Sequence, residues 1–190
     1  MKKILMLGGS TSQVCAIKKA KEMGHYVIIC DYLPDNPGQY EADEFYQIST
    51  TDKEAVLELA EKLCVDAVVC YASDPAAPTA AYVCEHLGLP TNPYESVMIL
   101  SNKDTFRKYL KENGFNVPKA KVYTDINDFL SDKESFKYPI MVKPVDSSGS
   151  KGINKVSDAN ELEDAYNEAM KYSRAKRVIA EDFIRKKGFQ

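Results

Sequence analysis

The 190-residue sequence has no tryptophan and only two histidines, His25 and His86. Its five cysteines (Cys15, Cys30, Cys64, Cys70 and Cys84) include no C-x-x-C pair. With so few nitrogen ligands and no closely spaced thiols, a structural zinc site is not expected. Cys30 and Cys70 close the apolar runs YVIIC and AVVC, so they read as reduced, buried small hydrophobes in a reducing compartment. No apolar run approaches the roughly 20 residues of a membrane span. The opening is basic and then apolar, but the apolar part, residues 4–7, is too short for the core of a signal peptide. A cytoplasmic protein with no membrane partner is the expectation. No internal repeat or low-complexity tract interrupts it.

Positive charge is scarce in the first half. Residues 1–100 hold 7 Lys+Arg against 14 Asp+Glu, and residues 101–190 hold 18 against 14, for a formal net charge of −3. The two segments therefore have different electrostatic duties. The acidic first segment argues against nucleic acid as a partner. The modest positive excess of the second suits a small polyanion better than a duplex, and a solvated mixed surface explains the same charges.

Hydrophobic patterning divides the chain in the same place. KILML, a small-residue turn, a helical stretch over 12–23 and the run YVIIC ending at Asp31 make a βαβ unit, and continuous apolar strands suit a parallel sheet covered on both faces. A Pro/Gly/Asn loop, a short strand near FYQI, a helix over 52–63, a strand over 66–71 and a helix from Pro75 to Leu87 continue the alternation, with Gly88 and Pro90 as the stop. After Pro93 the pattern changes to helices near 94–100 and 102–113. Strands near 119–123, 139–144, 152–156 and 177–184 follow, with helices near 125–131 and 158–172. The expected division is a parallel α/β domain over 1–92 and a smaller α+β unit over 93–190 with hairpin-like strands.

Three segments carry chemistry. Gly8-Gly9-Ser10 follows a strand and opens a helix, where a phosphate or carboxylate would meet the helix N-terminus. It lacks the third glycine of a dinucleotide fingerprint, although Asp31 ends the second strand where an acid binds a ribose in NAD(P) folds. A tight strand-to-helix turn explains the same residues. Ser73 and Asp74 follow the strand over 66–71 at its carboxyl end, the ligand-binding edge of open α/β sheets. They serve equally as helix N-caps. In the second half Lys143 lies inside the apolar strand PIMVKP, where a cation is costly unless it finds an anion or points out of the fold. The loop after it, Asp146-Ser147-Ser148-Gly149-Ser150-Lys151-Gly152, reads by itself as a plain hairpin loop, and beside Lys143 as one whose N–H groups and hydroxyls cover phosphates. It is not a Walker A sequence. The run RVIAEDFI holds Glu181 and Asp182 in an apolar strand, which reads either as a strand presenting backbone groups to a flat base or as an edge strand with two solvated acids.

The order of these features resembles the ATP-grasp superfamily: Lys103 opening a helix, the strand ending Lys143-Pro144, a Ser/Gly loop, and an apolar strand ending Glu181-Asp182-Phe183-Ile184. The first half is similar to the Rossmann-like pre-ATP-grasp domain of members resembling the carbamoyl-phosphate synthase large subunit, biotin carboxylase and the purine-pathway carboxylases. The resemblance implies that Lys103 and Lys143 hold ATP phosphates and that Ser147, Ser148, Gly149, Ser150 and Gly152 form the loop that closes over them. It also implies Glu181 beside the adenine amino group, the Asp182 carbonyl accepting from that amino group, and the Ile184 N–H donating to the ring. Family members use Mg-ATP to turn a carboxylate or bicarbonate into an acyl phosphate that an amine or other nucleophile attacks, with electrostatic clamping of the phosphoryl group supplying most of the rate.

The departure from the family pattern is at the end of the chain. A second subdomain with acidic and Asn ligands for magnesium is expected after Ile184, and residues 185–190 show no counterpart of the ribose-binding acid. No metal ligand is assigned. The chain reads as an N-terminal part of a carboxylate-amine ligase, truncated or one half of a split enzyme, inactive alone. A second copy or a C-terminal partner chain would then cover its open apolar face. A non-catalytic assembly subunit is the alternative, and an NAD(P) enzyme a more distant one.

Overall fold

The structure is a computed structural model and describes residues 1–184. It divides into two compact units, Met1–Ser101 and Asn102–Gln190.

The first unit is built on strands β1 (Lys3–Leu7), β2 (Tyr26–Asp31), β3 (Glu44–Gln47) and β4 (Ala67–Val69), all parallel, in the order β3-β2-β1-β4. Its helices are α1 (Thr11–Glu22), α2 (Lys53–Leu63), α3 (Ala77–His86) and α4 (Tyr94–Ser101). The apolar strand runs are explained by burial on both faces. Leu5, Leu7, Ile28 and Cys30 pack with Val56 and Leu59 of α2 and Val83 of α3, while Met6, Val27 and Ile29 pack with Ile17 of α1. Asp52 caps α2 by accepting the Ala55 N–H at 3.2 Å.

Two details differ from the sequence reading. Helix α3 begins at Ala77, and Pro75 lies in a preceding 3-10 turn, Asp74–Ala76. The reason is Pro78, which lacks an N–H and is tolerated only in a first turn. Patterning groups helix α4 with the second segment, yet it packs within the first unit. The Tyr94 N–H donates to Glu85 Oε1 at 2.6 Å, and its ring meets Tyr82 edge-on at 5.6 Å.

The second unit holds β5 (Ala120–Tyr123), β6 (Ile140–Pro144), β7 (Asn154–Val156) and β8 (Val178–Asp182), antiparallel throughout, in the order β5-β8-β6-β7. Helices α5 (Lys103–Glu112), α6 (Ile126–Ser131) and α7 (Leu162–Tyr172) complete it. One sheet face buries Ile140, Val142, Val178 and Ala180 against Phe129, Leu162 and Tyr166. Phe129 is fully buried and stacks on Tyr166 with ring centroids 5.4 Å apart. The period-two alternation of β6 then puts Met141 and Lys143 on the opposite face. The α/β fold with a parallel sheet followed by a separate antiparallel α+β unit matches the sequence expectation. Strand β8 does not lie at an edge: it is flanked by β5 and β6. Among the described residues no helix is long and apolar enough to cross a membrane.

Candidate functional site

Lys143 finds its anion across the sheet. Register pairs Met141 with Glu181 and Lys143 with Ile179, so the Lys143 and Glu181 side chains share the face opposite the aromatic core. The Lys143 ammonium bonds Glu181 Oε1, and both side chains are almost wholly buried, at 13% and 7% exposure. Arg107 of α5 reaches the same carboxylate, with Nε 3.1 Å from Oε2 and Nη2 3.5 Å from Oε1. The reading of Glu181 as a solvated edge acid is therefore corrected. An interior strand places it under two cations.

Lys103 opens α5. Its N–H donates to the Val145 carbonyl at 2.9 Å, and its ammonium donates to the Ser147 carbonyl at 2.7 Å. Burial, and then the neighbouring Lys143 charge, lower its pKa from the ordinary 10.5, with Arg107 acting in the same direction and Asp146 and Glu181 opposing. Lys143 and Arg107 thus share the Glu181 carboxylate, and Lys103 lies close enough to feel both cations together with Asp146 and Glu181, three cations to two carboxylates. Positive charge is in surplus there, and a polyphosphate is the kind of group that would balance it. Arg107 was missed in the sequence. The available signal was its i,i+4 spacing from Lys103 on one helix face.

The Ser/Gly loop has firm roots and an open tip. At one root Asp146 accepts from Ser173 Oγ at 2.9 Å and from the Ala175 N–H at 2.8 Å. At the other, a Cβ on Gly152 would lie 2.9 Å from Tyr172 Cδ2 and 3.0 Å from Pro144 Cγ. Between them Ser147 Oγ donates to the Lys151 carbonyl at 3.1 Å. Gly149 and Ser150 turn through positive φ of 64° and 59° and are exposed, and a Cβ on Gly149 would meet nothing within 4 Å. Ser148 lies half-buried beside them.

Strand β8 ends at Asp182, which is half-buried and whose N–H donates to the Lys119 carbonyl at 2.9 Å. Lys155 sits over the Phe183 ring at 4.9 Å from its centroid, and Ile184 is exposed. The position expected for a ribose-binding acid falls in 185–190, outside the described residues.

In the first unit the Gly8-Gly9-Ser10 turn has spent its donors internally. The Gly8 N–H goes to the Cys30 carbonyl at 2.9 Å, the Gly9 N–H to Asp31 Oδ2 at 2.8 Å, and the Ser10 N–H to Gln13 Oε1 at 2.9 Å. Gly8 has a φ of 106°, and a Cβ on Gly9 would fall 1.9 Å from Asn36 Oδ1. The glycines are thus accounted for by turn geometry and close packing. Asp31 is buried and also accepts the Leu33 N–H at 2.9 Å, so the acid on which a dinucleotide reading depends is already engaged. The Gln13 amide donates onward to the carbonyls of Tyr71 at 3.0 Å and Ala72 at 3.3 Å, which ties this turn to the segment holding Ser73 and Asp74. Ser73 makes no side-chain capping bond; its carbonyl accepts the Ala76 N–H and Cys70 Sγ. Asp74 is exposed. Cys30 is buried, and burial pushes its thiol up to about 12. Cys70 is only half-buried, because β4 ends one residue before it.

Against known proteins, the family model described as D-ala D-ala ligase C-terminus matches residues 83–190. A formate-dependent phosphoribosylglycinamide formyltransferase of Prochlorococcus marinus is 32% identical over 188 residues, covering 96% of this chain and 48% of that protein. The namesake from Bacteroides thetaiotaomicron is 29% identical, covering 97% and 48%. Among solved structures, an L-amino acid ligase from Bacillus licheniformis superposes with a TM-score of 0.72 at 25% identity, covering 97% of this chain and 45% of that one. The N5-carboxyaminoimidazole synthetase of Staphylococcus aureus complexed with ADP gives 0.74 at 23% identity, covering 96% and 48%. The chain spans about half the length of the relatives it matches.

Proposed function

We propose, from the premise that this chain belongs to the ATP-grasp superfamily, that it carries nucleotide-binding residues of an ATP-dependent ligase joining a small carboxylate to an amine. The observation that carries the reading is the surplus of buried positive charge around Glu181. A desolvated Lys103 beside Lys143 is costly unless an anion joins them, and a triphosphate supplies charge of the right sign and size.

In this reading Lys103 and Lys143 hold phosphate oxygens, while Ser147, Ser148, Gly149, Ser150 and Gly152 cover them through backbone N–H groups and hydroxyls. The firm roots at Asp146 and Gly152 let the exposed tip move without disturbing the sheet. Glu181, the Asp182 carbonyl and the Ile184 N–H attend the base. ATP supplies a transferable phosphoryl group that makes a carboxylate reactive toward an amine. The lysines' contribution is electrostatic, offsetting charge that develops on the transferring group. Magnesium would accompany the nucleotide. Among the described residues no group of three His, Cys, Asp or Glu side chains is gathered to hold a metal, and none is assigned to it. Within the first unit, Ser10, Ser73 and Asp74 are proposed as small-substrate contacts through their hydroxyls and the Asp74 carboxylate, while Gly8 and Gly9, whose N–H groups are in use, would shape the turn that presents Ser10.

The test is equilibrium titration of the protein with ATP, GTP and inorganic triphosphate. Saturable binding that prefers ATP supports the reading. Binding of triphosphate equal to that of ATP would remove the base contacts from it, and no binding of any of the three would overturn it.

A further inference from the structure

We infer that Arg107 is a positioning residue of the nucleotide site: it holds the Glu181 carboxylate so that Lys143 is free to leave that carboxylate for a phosphate. The inference rests on the reading of Lys143 as a phosphate ligand.

Glu181 is buried in an interior strand. A buried carboxylate with one cationic partner holds that partner tightly, because breaking the pair leaves an uncompensated charge in a poorly solvated place. Were Lys143 the sole partner, any phosphate seeking its ammonium would compete against that penalty. Arg107 changes the balance. Its Nε is 3.1 Å from Oε2, the oxygen that Lys143 does not use, and its Nη2 reaches Oε1 at 3.5 Å. The guanidinium fork therefore touches both carboxylate oxygens. When Lys143 swings toward an anion, Glu181 remains paired and ionised. Position 107 is one helical turn from Lys103 on α5, whose first residue is fixed to the segment that follows β6 by the Lys103 contacts to Val145 and Ser147. The same helix turn thus presents one cation to the phosphate region and another to the carboxylate that would otherwise sequester Lys143.

The experiment is calorimetric titration of ATP into the wild type, Lys143→Met, Arg107→Met, Glu181→Gln and Arg107→Met/Glu181→Gln proteins, each checked by thermal unfolding. Arg107→Met should weaken ATP binding about tenfold or more, since Lys143 is then retained by an otherwise unpaired carboxylate. The double variant should bind ATP as Glu181→Gln does, because a neutral amide no longer retains the lysine. A residue that served only to stabilise the fold would give no such recovery. Wild-type affinity in Arg107→Met alongside a loss in Lys143→Met would overturn the inference and leave the ATP reading standing. Unchanged affinity in Lys143→Met would overturn the reading itself. If Arg107→Met does not fold, the double variant and Glu181→Gln carry the comparison, and weaker binding by the double variant overturns the inference.

Discussion

The Asp31 carboxylate accepts the N–H of Gly9 at 2.8 Å, closing the first strand-to-helix turn onto the end of the neighbouring strand. Its second oxygen accepts the Leu33 N–H at 2.9 Å, and the residue is 7% exposed. Asp31→Ala would leave two N–H groups without an acceptor, at about 1–3 kcal/mol for each one that water cannot reach. Urea unfolding should show a loss of about 2 kcal/mol or more. Asp31→Asn, which keeps one carbonyl acceptor, should lose less. An unchanged midpoint in Asp31→Ala would mean that the carboxylate is free to serve a ligand.

Lys143→Met keeps the packing of the stem and removes the charge. A charge-assisted bond to phosphate is worth about 1.5–3 kcal/mol, so ATP affinity should fall about tenfold to a hundredfold. Fold stability should change little, because Glu181 keeps its Arg107 partner. Calorimetry of ATP binding beside thermal unfolding separates the two effects. A large drop in melting temperature with unchanged ATP affinity would make Lys143 a structural ion-pair partner only.

Much of this arrangement is legible in the sequence, and the reasons for the rest are local. Alternation of apolar runs with 3.6-residue periodicity marks the parallel unit, and a lysine inside an apolar strand announces a demand for an anion. The identity of that anion is not legible. Glu181 meets Lys143 only because β8 inserts between β5 and β6, and strand order in an antiparallel sheet is not encoded by period-two alternation. The role of Gly9 is similarly hidden, since it is set by Asn36, which arrives from a loop far along the chain.

Cys30 should resist alkylation while Cys15 and Cys64 react. Burial raises the Cys30 thiol to about 12, whereas the other two are exposed. Mass spectrometry after iodoacetamide treatment of the native protein at mildly alkaline pH reads this directly. Rapid modification of Cys30 without unfolding would contradict its placement in the sheet.

The charged form of Lys103 is penalised in the folded chain, by burial first and by Lys143 second, so its pKa lies below 10.5. Below the folded pKa this group costs stability. The cost is relieved as pH rises through the lowered pKa toward the ordinary value. Wild-type stability should therefore gain on Lys103→Met over that alkaline window. ATP affinity should fall over the same window, since a neutral amine no longer attracts phosphate. Binding ATP within that window should raise the Lys103 pKa and draw protons from the buffer, visible as a binding enthalpy that varies with buffer ionisation heat. The variation should vanish in Lys103→Met. Its persistence would assign the proton uptake to another group.

Gly152→Ala and Gly149→Ala separate the root of the Ser/Gly loop from its tip. Both glycines have φ in the left-handed region, 71° and 64°, where a Cβ costs roughly 1–2 kcal/mol. Only Gly152 adds a packing conflict. Its new methyl would lie 2.9 Å from Tyr172 Cδ2, 3.0 Å from Pro144 Cγ and 3.3 Å from the Ala169 backbone, whereas at Gly149 it would meet nothing within 4 Å. Tyr172 can swing, but Pro144 is held in β6 next to Lys143, so relief at the root displaces the strand that carries the phosphate lysine. Gly152→Ala should lower the unfolding midpoint more than Gly149→Ala and weaken ATP binding with it. Gly149→Ala should cost a little stability and act on ATP binding mainly through the rate at which the loop closes. Stopped-flow binding of a fluorescent ATP analogue distinguishes them: a slower association with near-normal dissociation for Gly149→Ala, and a faster dissociation for Gly152→Ala. Identical kinetics in the two variants would mean that the loop moves as one piece, without the fixed root that Gly152 provides.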